Sequence, residues 1–434
     1  MLKKGNQSVI NAWAFYDWAN SVYPLVITTA IFPMYYEAVT TTSLPSGETT
    51  DLVTFFGGTF RNTELYSYVA SLSFLVVSII SPILSGIADY ADRKKSFLQF
   101  FCYLGALSCA TLFFFDPNRL ELSMVPVFTA SIGFWGSLVF YNAYLPEIAP
   151  PARHDAISAK GYALGYIGSS LLLIANLVMI MVFDIEARYA FLTVAIWWIG
   201  FSQVTYSKLP NAVYKEKPKA NKLLKGWKEL QKVWKQAKEL KPLKRYLYAF
   251  FVYSMGVQTV MLMATLFAAK EIDWGADGAA KTGLIVSVLI IQFIAIGGAY
   301  LFSYLSSKWG NIKALILANS IWICICVAAY FIQQPYEFYI IAGIVGLVMG
   351  GIQSLSRSTY SKLLPSSTKD HASFFSFYDV LEKMGIVIGT FSYGFIEGIT
   401  GSMRNSIFAL IAFFIIGLIL IIRVPNKKVI RAVS

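Results

Sequence analysis

The chain predicts an all-α membrane protein with twelve transmembrane helices in two pseudo-symmetric six-helix bundles, and three observations carry that reading. Its 434 residues are 56% hydrophobic and only 14% charged. That balance excludes an ordinary soluble enzyme. Continuous apolar runs such as Ser406 to Ile422 also exclude an outer-membrane barrel, whose strands alternate and run to about 10 residues. Finally, the halves echo each other. Tyr141-x-x-x-Leu145-Pro146 returns as Tyr360-x-x-x-Leu364-Pro365, and Ser85 to Lys95 (SGIADYADRKK) is answered by Ser303 to Lys313 (SYLSSKWGNIK), at offsets of 219 and 218 residues. Internal repeats of this kind characterise secondary transporters.

The first element, Asn11 to Tyr36, exceeds the roughly 20 apolar residues that cross a bilayer. Asp17 lies inside it, roughly 9 Å along at about 1.5 Å per residue. Two readings fit an acid there: a group hydrogen-bonded near the helix entrance that holds its neighbours, or one facing a water-filled cavity. Further helices are expected over 64–88, 96–115, 121–146, 157–183, 188–207, 243–269, 280–306, 311–332, 337–364, 371–397 and 404–423. The domains follow: an N-terminal bundle over 1–207, a basic linker over 208–242, a C-terminal bundle over 243–423 and a tail over 424–434. Twelve spans put both termini on one side. Alternate connections hold Lys3, Lys4, Arg93 to Lys95, Arg153, Lys308, Lys313, Lys369, Lys427 and Lys428, so the positive-inside rule places both termini in the cytoplasm. The expected location is the plasma (inner) membrane, with the 39–62 loop outside.

Charge is concentrated in the linker. Lys208 to Arg245 holds thirteen basic residues against Glu216, Glu229 and Glu239, most of the net +12. Beside membrane helices such a segment reads as attracted to anionic lipid rather than nucleic acid. Within it Leu223, Trp227, Leu230, Trp234 and Ala237 recur at helical spacing with lysines opposite. This amphipathic helix is expected to lie in the cytoplasmic interface, its tryptophans at headgroup depth. Cys102, Cys109, Cys324 and Cys326 fall in apolar runs and read as packing residues. The N-terminus carries no small-residue cleavage site, and no cleavage is expected.

Ser85-Gly-Ile-Ala-Asp89-Tyr-Ala-Asp92-Arg93-Lys94 resembles the loop between helices two and three of the major facilitator superfamily, G-x-L-A-D-R-x-G-R-K. Asp89, Arg93 and Lys94 match; Ser85 and Asp92 replace its glycines and Tyr90 its first arginine. The opening AFYDWANSVYPLVITTAIFPMYY and YNAYLPEIAPPARHDAISAKGYALGYIG at Tyr141 to Gly168 resemble the vacuolar-effluxer-like, autophagy-related branch of that superfamily, which also occurs in bacteria. The resemblance runs through most of the chain. It implies the major facilitator fold, with helices one, four, seven and ten lining a central cavity, and its eukaryotic members are implicated in exporting amino acids from the vacuole.

The residues test that architecture. Helices one, four, seven and ten carry Tyr16, Asp17 and Asn20; Tyr141 and Asn142; Tyr253 and Gln258; Gln353 and Arg357. Helices three, six, nine and twelve are far more apolar, as lipid-facing helices must be. Asp379 and Glu382, about two turns into helix eleven, are expected to pair with Arg357, either as a gate that forms when the cytoplasmic side shuts or as a permanent structural pair. Asp89, Arg93 and Lys94 read as a gating loop that latches the halves, or as a solvated turn. Gly161, Gly165 and Gly168 let helix five approach a neighbour closely. Asp17, Asp379 and Glu382 are the candidate acids for a coupling proton or cation.

Catalytic constellations are missing. Gly275 to Thr282 ends like a phosphate loop but has Ala280 where glycine is needed, and His154 and His371 combine with no cysteine at metal-ligand spacing. The sequence therefore points to a secondary transporter of a small organic solute, with no cofactor, no metal and no nucleic-acid partner. Amino acids are the first candidates by resemblance. The rivals are a non-transporting receptor or scaffold on the same fold and an integral-membrane enzyme, and nothing in the sequence sets an oligomeric state.

Overall fold

The computed structural model describes residues 4–43, 49–211, 222–275, 279–365 and 367–425. Lys427, Lys428 and residues 215–219 lie outside the described residues, as do the side chains of Leu223, Trp227 and Leu230. Twelve long helices occupy the described chain: α1 (Gln7–Thr40), α2 (Asn62–Ala91), α3 (Lys94–Thr111), α4 (Leu120–Ala143), α5 (His154–Met181), α6 (Tyr189–Lys208), α7 (Lys241–Glu271), α8 (Ala279–Trp309), α9 (Asn311–Phe331), α10 (Pro335–Leu363), α11 (His371–Thr400) and α12 (Met403–Ile422). Each coincides with an expected span. Ten are long and apolar enough by composition alone to cross a bilayer; of the others, α11 carries Asp379, Glu382 and Lys383 mid-helix and α6 carries Ser202, Gln203 and Thr205.

The packing repeats with a shift of six helices. In the first half α1 packs on α5 and α6, α4 on α2 and α3, and α3 on α6; in the second, α7 packs on α11 and α12, α10 on α8 and α9, and α9 on α12. Contacts between halves obey the same rule, α2 with α11 answering α8 with α5, and α4 with α11 answering α10 with α5. Phe100, Leu107, Ile196, Phe408 and Ile419 stand exposed on α3, α6 and α12, the outer belt that hydrocarbon would cover.

Three local features depart from the expected outline. The middle of α1, Tyr23–Ala30, is π-helical and opens at Pro24. Proline cannot donate an intrahelical bond; the Thr28 and Thr29 hydroxyls both donate to its carbonyl at 2.7 and 2.8 Å, and the helix widens there. In the 39–62 loop, Leu52–Phe55 pairs with Gly58–Arg61 in a hairpin whose two turn residues, Phe56 and Gly57, both have positive φ. The linker helix (Lys222–Glu239) packs on α2 and also reaches α7 and α11. Val233 and Ala237 are buried there, Trp234 meets the Phe377 ring at 5.1 Å, and Lys232 lies 3.3 Å from Asp370. The ends of α2 and α11 thus offer this helix an apolar seat on the protein itself, while Trp234 stays half exposed.

Candidate central cavity and gates

α1 enters from the face that carries both chain ends, and about three turns in it presents Asp17, which is 5% exposed. Arg357 of α10 reaches it from the other half: Nη2 donates to Asp17 Oδ2 at 3.1 Å. The Tyr141 hydroxyl donates to the same oxygen at 2.8 Å. Arg357 is held further by Ser158, its Nε donating to the hydroxyl at 2.9 Å and Nη2 to the carbonyl at 3.0 Å, and Nη1 reaches Asn142 Oδ1 at 3.4 Å. Its guanidinium lies over the rings of Tyr162 and Trp13, 4.3 and 4.9 Å from the centroids. Such a planar cation suits simultaneous stacking and forked donation. A buried charge with this many partners is one whose desolvation is largely offset.

Glycine makes the approach possible. A Cβ on Gly161 would stand 2.3 Å from Asp17 Oδ2 and 2.9 Å from Arg357 Nη2, and one on Gly165 2.4 Å from the Ser21 hydroxyl. The glycine face of α5 thus seats α1 and its ion pair, a more specific role than close packing alone.

Beyond this layer, away from the chain ends, a cavity of about 220 Å³ lies between the halves. Asp17, Asn20 and Thr29 line it from α1, Asn142 and Trp135 from α4, Tyr162 and Tyr166 from α5, Gln258 from α7, Gln353 and Arg357 from α10, and Glu382 from α11. The Tyr166 hydroxyl crosses between halves to Gln353 Oε1 at 2.7 Å.

Toward the chain ends two clusters close the halves. Asp89, at the end of α2, accepts the backbone N–H groups of Ala372 and Ser373 at 3.1 and 2.7 Å, where α11 begins. An acid there also meets the positive end of that helix's dipole. Lys94 lies 3.2 Å from Asp89 Oδ1 and 2.7 Å from Glu147 Oε1. The other cluster is its counterpart across the pseudo-twofold: Asp155, at the start of α5, accepts from Lys362 Nζ at 2.5 Å, the Ser306 hydroxyl at 2.8 Å and Asn311 Nδ2 at 2.7 Å. At the matching helix ends the backbone takes a positive φ in both halves, though with different ψ, 45° at Asp92 and 153° at Gly310. Asp92 and Gly310, 218 residues apart, end α2 and precede α9 with φ of 49° and 92°. Asp92 is in the left-handed region, a conformation Asp tolerates better than most residues.

A family model described as "Vacuole effluxer Atg22 like" matches residues 5–434. The chain belongs to the Atg22-like family. Among its relatives, the uncharacterized MFS-type transporter YxiO of Bacillus subtilis is 31% identical, across 96% of this chain and 95% of that protein. Autophagy-related protein 22 of Yarrowia lipolytica is 25% identical, across 87% of this chain and 79% of its own. Among solved structures, the chain is similar to the major facilitator transporter FucP in the outward conformation, with TM-score 0.71 at 14% identity and coverage of 98% and 99%. The human organic anion transporter MFSD10 gives TM-score 0.71 at 10% identity, covering 96% and 100%. These likenesses show the major facilitator fold for this Atg22-like chain.

The family's fold brings together Asp17, Asn20, Asn142, Gln258, Gln353, Arg357 and Glu382 around one cavity. Other expected residues sit elsewhere. Tyr16 is buried within the first half, its ring 5.0 Å from that of Tyr141 and 6.4 Å from that of Tyr206, because it points away from the α1 face that bears Asp17. Tyr253 bonds the Ser356 hydroxyl at 2.7 Å, behind the lining. Tyr141 acts on Asp17 through its hydroxyl alone. The expected pairing of Arg357 with Asp379 or Glu382 is corrected: Asp379 binds Lys383, one turn on, and Glu382 accepts from Gln258 Nε2 at 2.8 Å. Arg357 turns to α1, α4 and α5 instead, where four acceptor atoms converge on its fork. In the gating loop Asp89 and Lys94 are engaged while Arg93 is exposed. Ser158, Glu147, Asp155 and Lys362 escaped the sequence reading, although Glu147 directly follows the repeated Leu145-Pro146.

Proposed function

We propose that this protein is a secondary transporter that moves a small polar organic solute by alternating access, with both termini cytoplasmic in the plasma (inner) membrane. The cavity then faces outward and the two charge clusters shut the cytoplasmic side. The observation that carries this reading is the Asp17–Arg357 pair, which closes the cavity floor by joining α1 of one half to α10 of the other at 3.1 Å. A link between halves at the base of a polar cavity has to break for the cavity to open the other way. The division near the linker, with halves over 1–207 and 243–423, supplies the two bodies that rock. Amino acids are the first substrates to test, as the resemblance to the vacuolar effluxers implies; a cavity offering both an arginine and a carboxylate suits a zwitterion. Efflux is the proposed direction.

The test uses full-length protein in liposomes loaded with an unlabelled amino-acid mixture and exchanged against a labelled one. Exchange is expected in the wild type. Arg357→Ala leaves Asp17 buried without its cation, a change of about 3–5 kcal/mol, so flux should fall at least tenfold while cysteines placed on the cytoplasmic side become reactive. Unchanged flux together with unchanged reactivity would overturn the reading.

A further inference from the structure

The buried charges between the halves do not balance. Asp17 and Arg357 cancel each other. On α11, however, Asp379 and Glu382 share one lysine, so that group carries one negative charge in excess. Lys383 is 1% exposed, bonds Asp379, and stands 4.0 Å from Glu382 Oε2. Its ammonium also rests on the face of Trp135, 4.0 Å from the ring centroid. It holds Asp379 closely and Glu382 only at that longer distance. Asp379 Oδ2 is buried with no hydrogen-bond partner among the described residues, so nothing else neutralises that carboxylate if the lysine leaves.

Of the two acids Glu382 alone lines the cavity, where its side chain is 20% exposed. Oε1 is taken by Gln258, while Oε2 receives no short bond. The surroundings add no further cation: Tyr253 and Gln258 face it from α7, Tyr162 from α5 and Tyr378 from its own helix, and Asp17 and Arg357 stand in the same cavity already paired. An uncompensated carboxylate in a low-dielectric interior is costly, and a bound positive charge removes the cost.

We propose that Glu382 is a proton-binding site of this protein, loaded from the cavity, while Lys383 stays on Asp379 and leaves the excess negative charge of the group on Glu382. One O–H bond forms on Oε2 as a cavity hydronium gives up its proton; on release that bond breaks, the proton returns to water, and no electrons move. Use of this proton to drive solute movement rests on the transport reading above, but its binding does not.

The test is difference infrared spectroscopy of the full-length protein in lipid bilayers as the pH is stepped down, with no solute present. With the pH kept above about 6, where exposed carboxylates stay ionised, a carboxylic C=O band is expected to grow in the wild type, to lose intensity in Glu382→Gln and to keep that intensity in Glu147→Gln, which removes another buried glutamate. Labelling the wild type with ¹³C-glutamate should move the band and ¹³C-aspartate should not, an arm that needs no variant at all. Replacing sodium by choline should leave it unchanged. A band that Glu382→Gln leaves undiminished, that is lost whole in Glu147→Gln, that follows the aspartate label or that depends on sodium would overturn the proposal, as would the lack of any such band. Because the measurement needs no flux, a failed exchange assay alongside a glutamate band would sink the transport reading and leave this site standing.

Discussion

At Gly161 a single hydrogen atom stands where any other residue would place carbon against both members of the central ion pair. Gly161→Ala is therefore expected to force Asp17 and Arg357 apart, at a cost of about 1–3 kcal/mol for overpacking. Thermal unfolding in detergent should show a folded protein with a lowered midpoint, and exchange in liposomes should be largely lost. Gly310 makes a different demand. Its φ of 92° with ψ of 153° lies in territory essentially reserved for glycine, so Gly310→Ala should cost about 1–3 kcal/mol of strain, read as a lower midpoint without any change in spectroscopic helix content. The glycine spacing on α5 is visible in the sequence, and so is an acid inside the first span. Which side chains those glycines face is not, because periodicity reports one helix's face and is silent about what lies opposite. For the same reason Arg357 could be matched to Asp17 in depth but not in direction, and Asp379 and Glu382, nearer in sequence, looked the more available partners.

Helix ends carry the two charge clusters proposed as gates, and there sequence reasoning is weakest. Charged residues at a membrane surface are ordinary, so Asp155 and Lys362 gave no signal comparable to an acid within a span. Asp89 was legible only because its loop follows a known pattern. The structure gives the two clusters equal standing: one acid caps the start of α11, the other sits at the start of α5 and gathers groups from α8, α9 and α10. Asp155→Asn weakens a 2.5 Å contact with Lys362 and is expected to bias the protein toward opening on that side. A cysteine placed at Ser158 should then react several-fold faster with a membrane-impermeant reagent added from the chain-end face, and Asp89→Asn should do the same from the other cluster. Elsewhere the element outline was read correctly except where side chains changed the backbone's options, at Pro24 with its two threonines and in the 52–61 hairpin. Neither leaves a hydropathy signature.

Over the whole molecule, twelve helices and their repeat were legible because length and apolarity are imposed by the bilayer itself, whereas contacts between halves depend on groups more than a hundred residues apart. The shift of six helices relates not only the bundles but also the seams between them, so both seams should separate together. Ser158 donates to the Ser354 carbonyl across one of them at 2.8 Å. Cysteines at these two positions, in a background lacking Cys102, Cys109, Cys324 and Cys326, are expected to abolish exchange on oxidation and to restore it on reduction; full exchange by the oxidised protein would show that the seam need not part. The layer that joins the halves also has an electrical consequence. Arg357 over the rings of Trp13 and Tyr162, with Asp17 and Tyr141 beneath the same roof, fills the cavity floor with packed, mutually bonded side chains. Such a plug is expected to act as an insulator, so that a membrane crowded with copies of this chain should hold its voltage as well as one that has none.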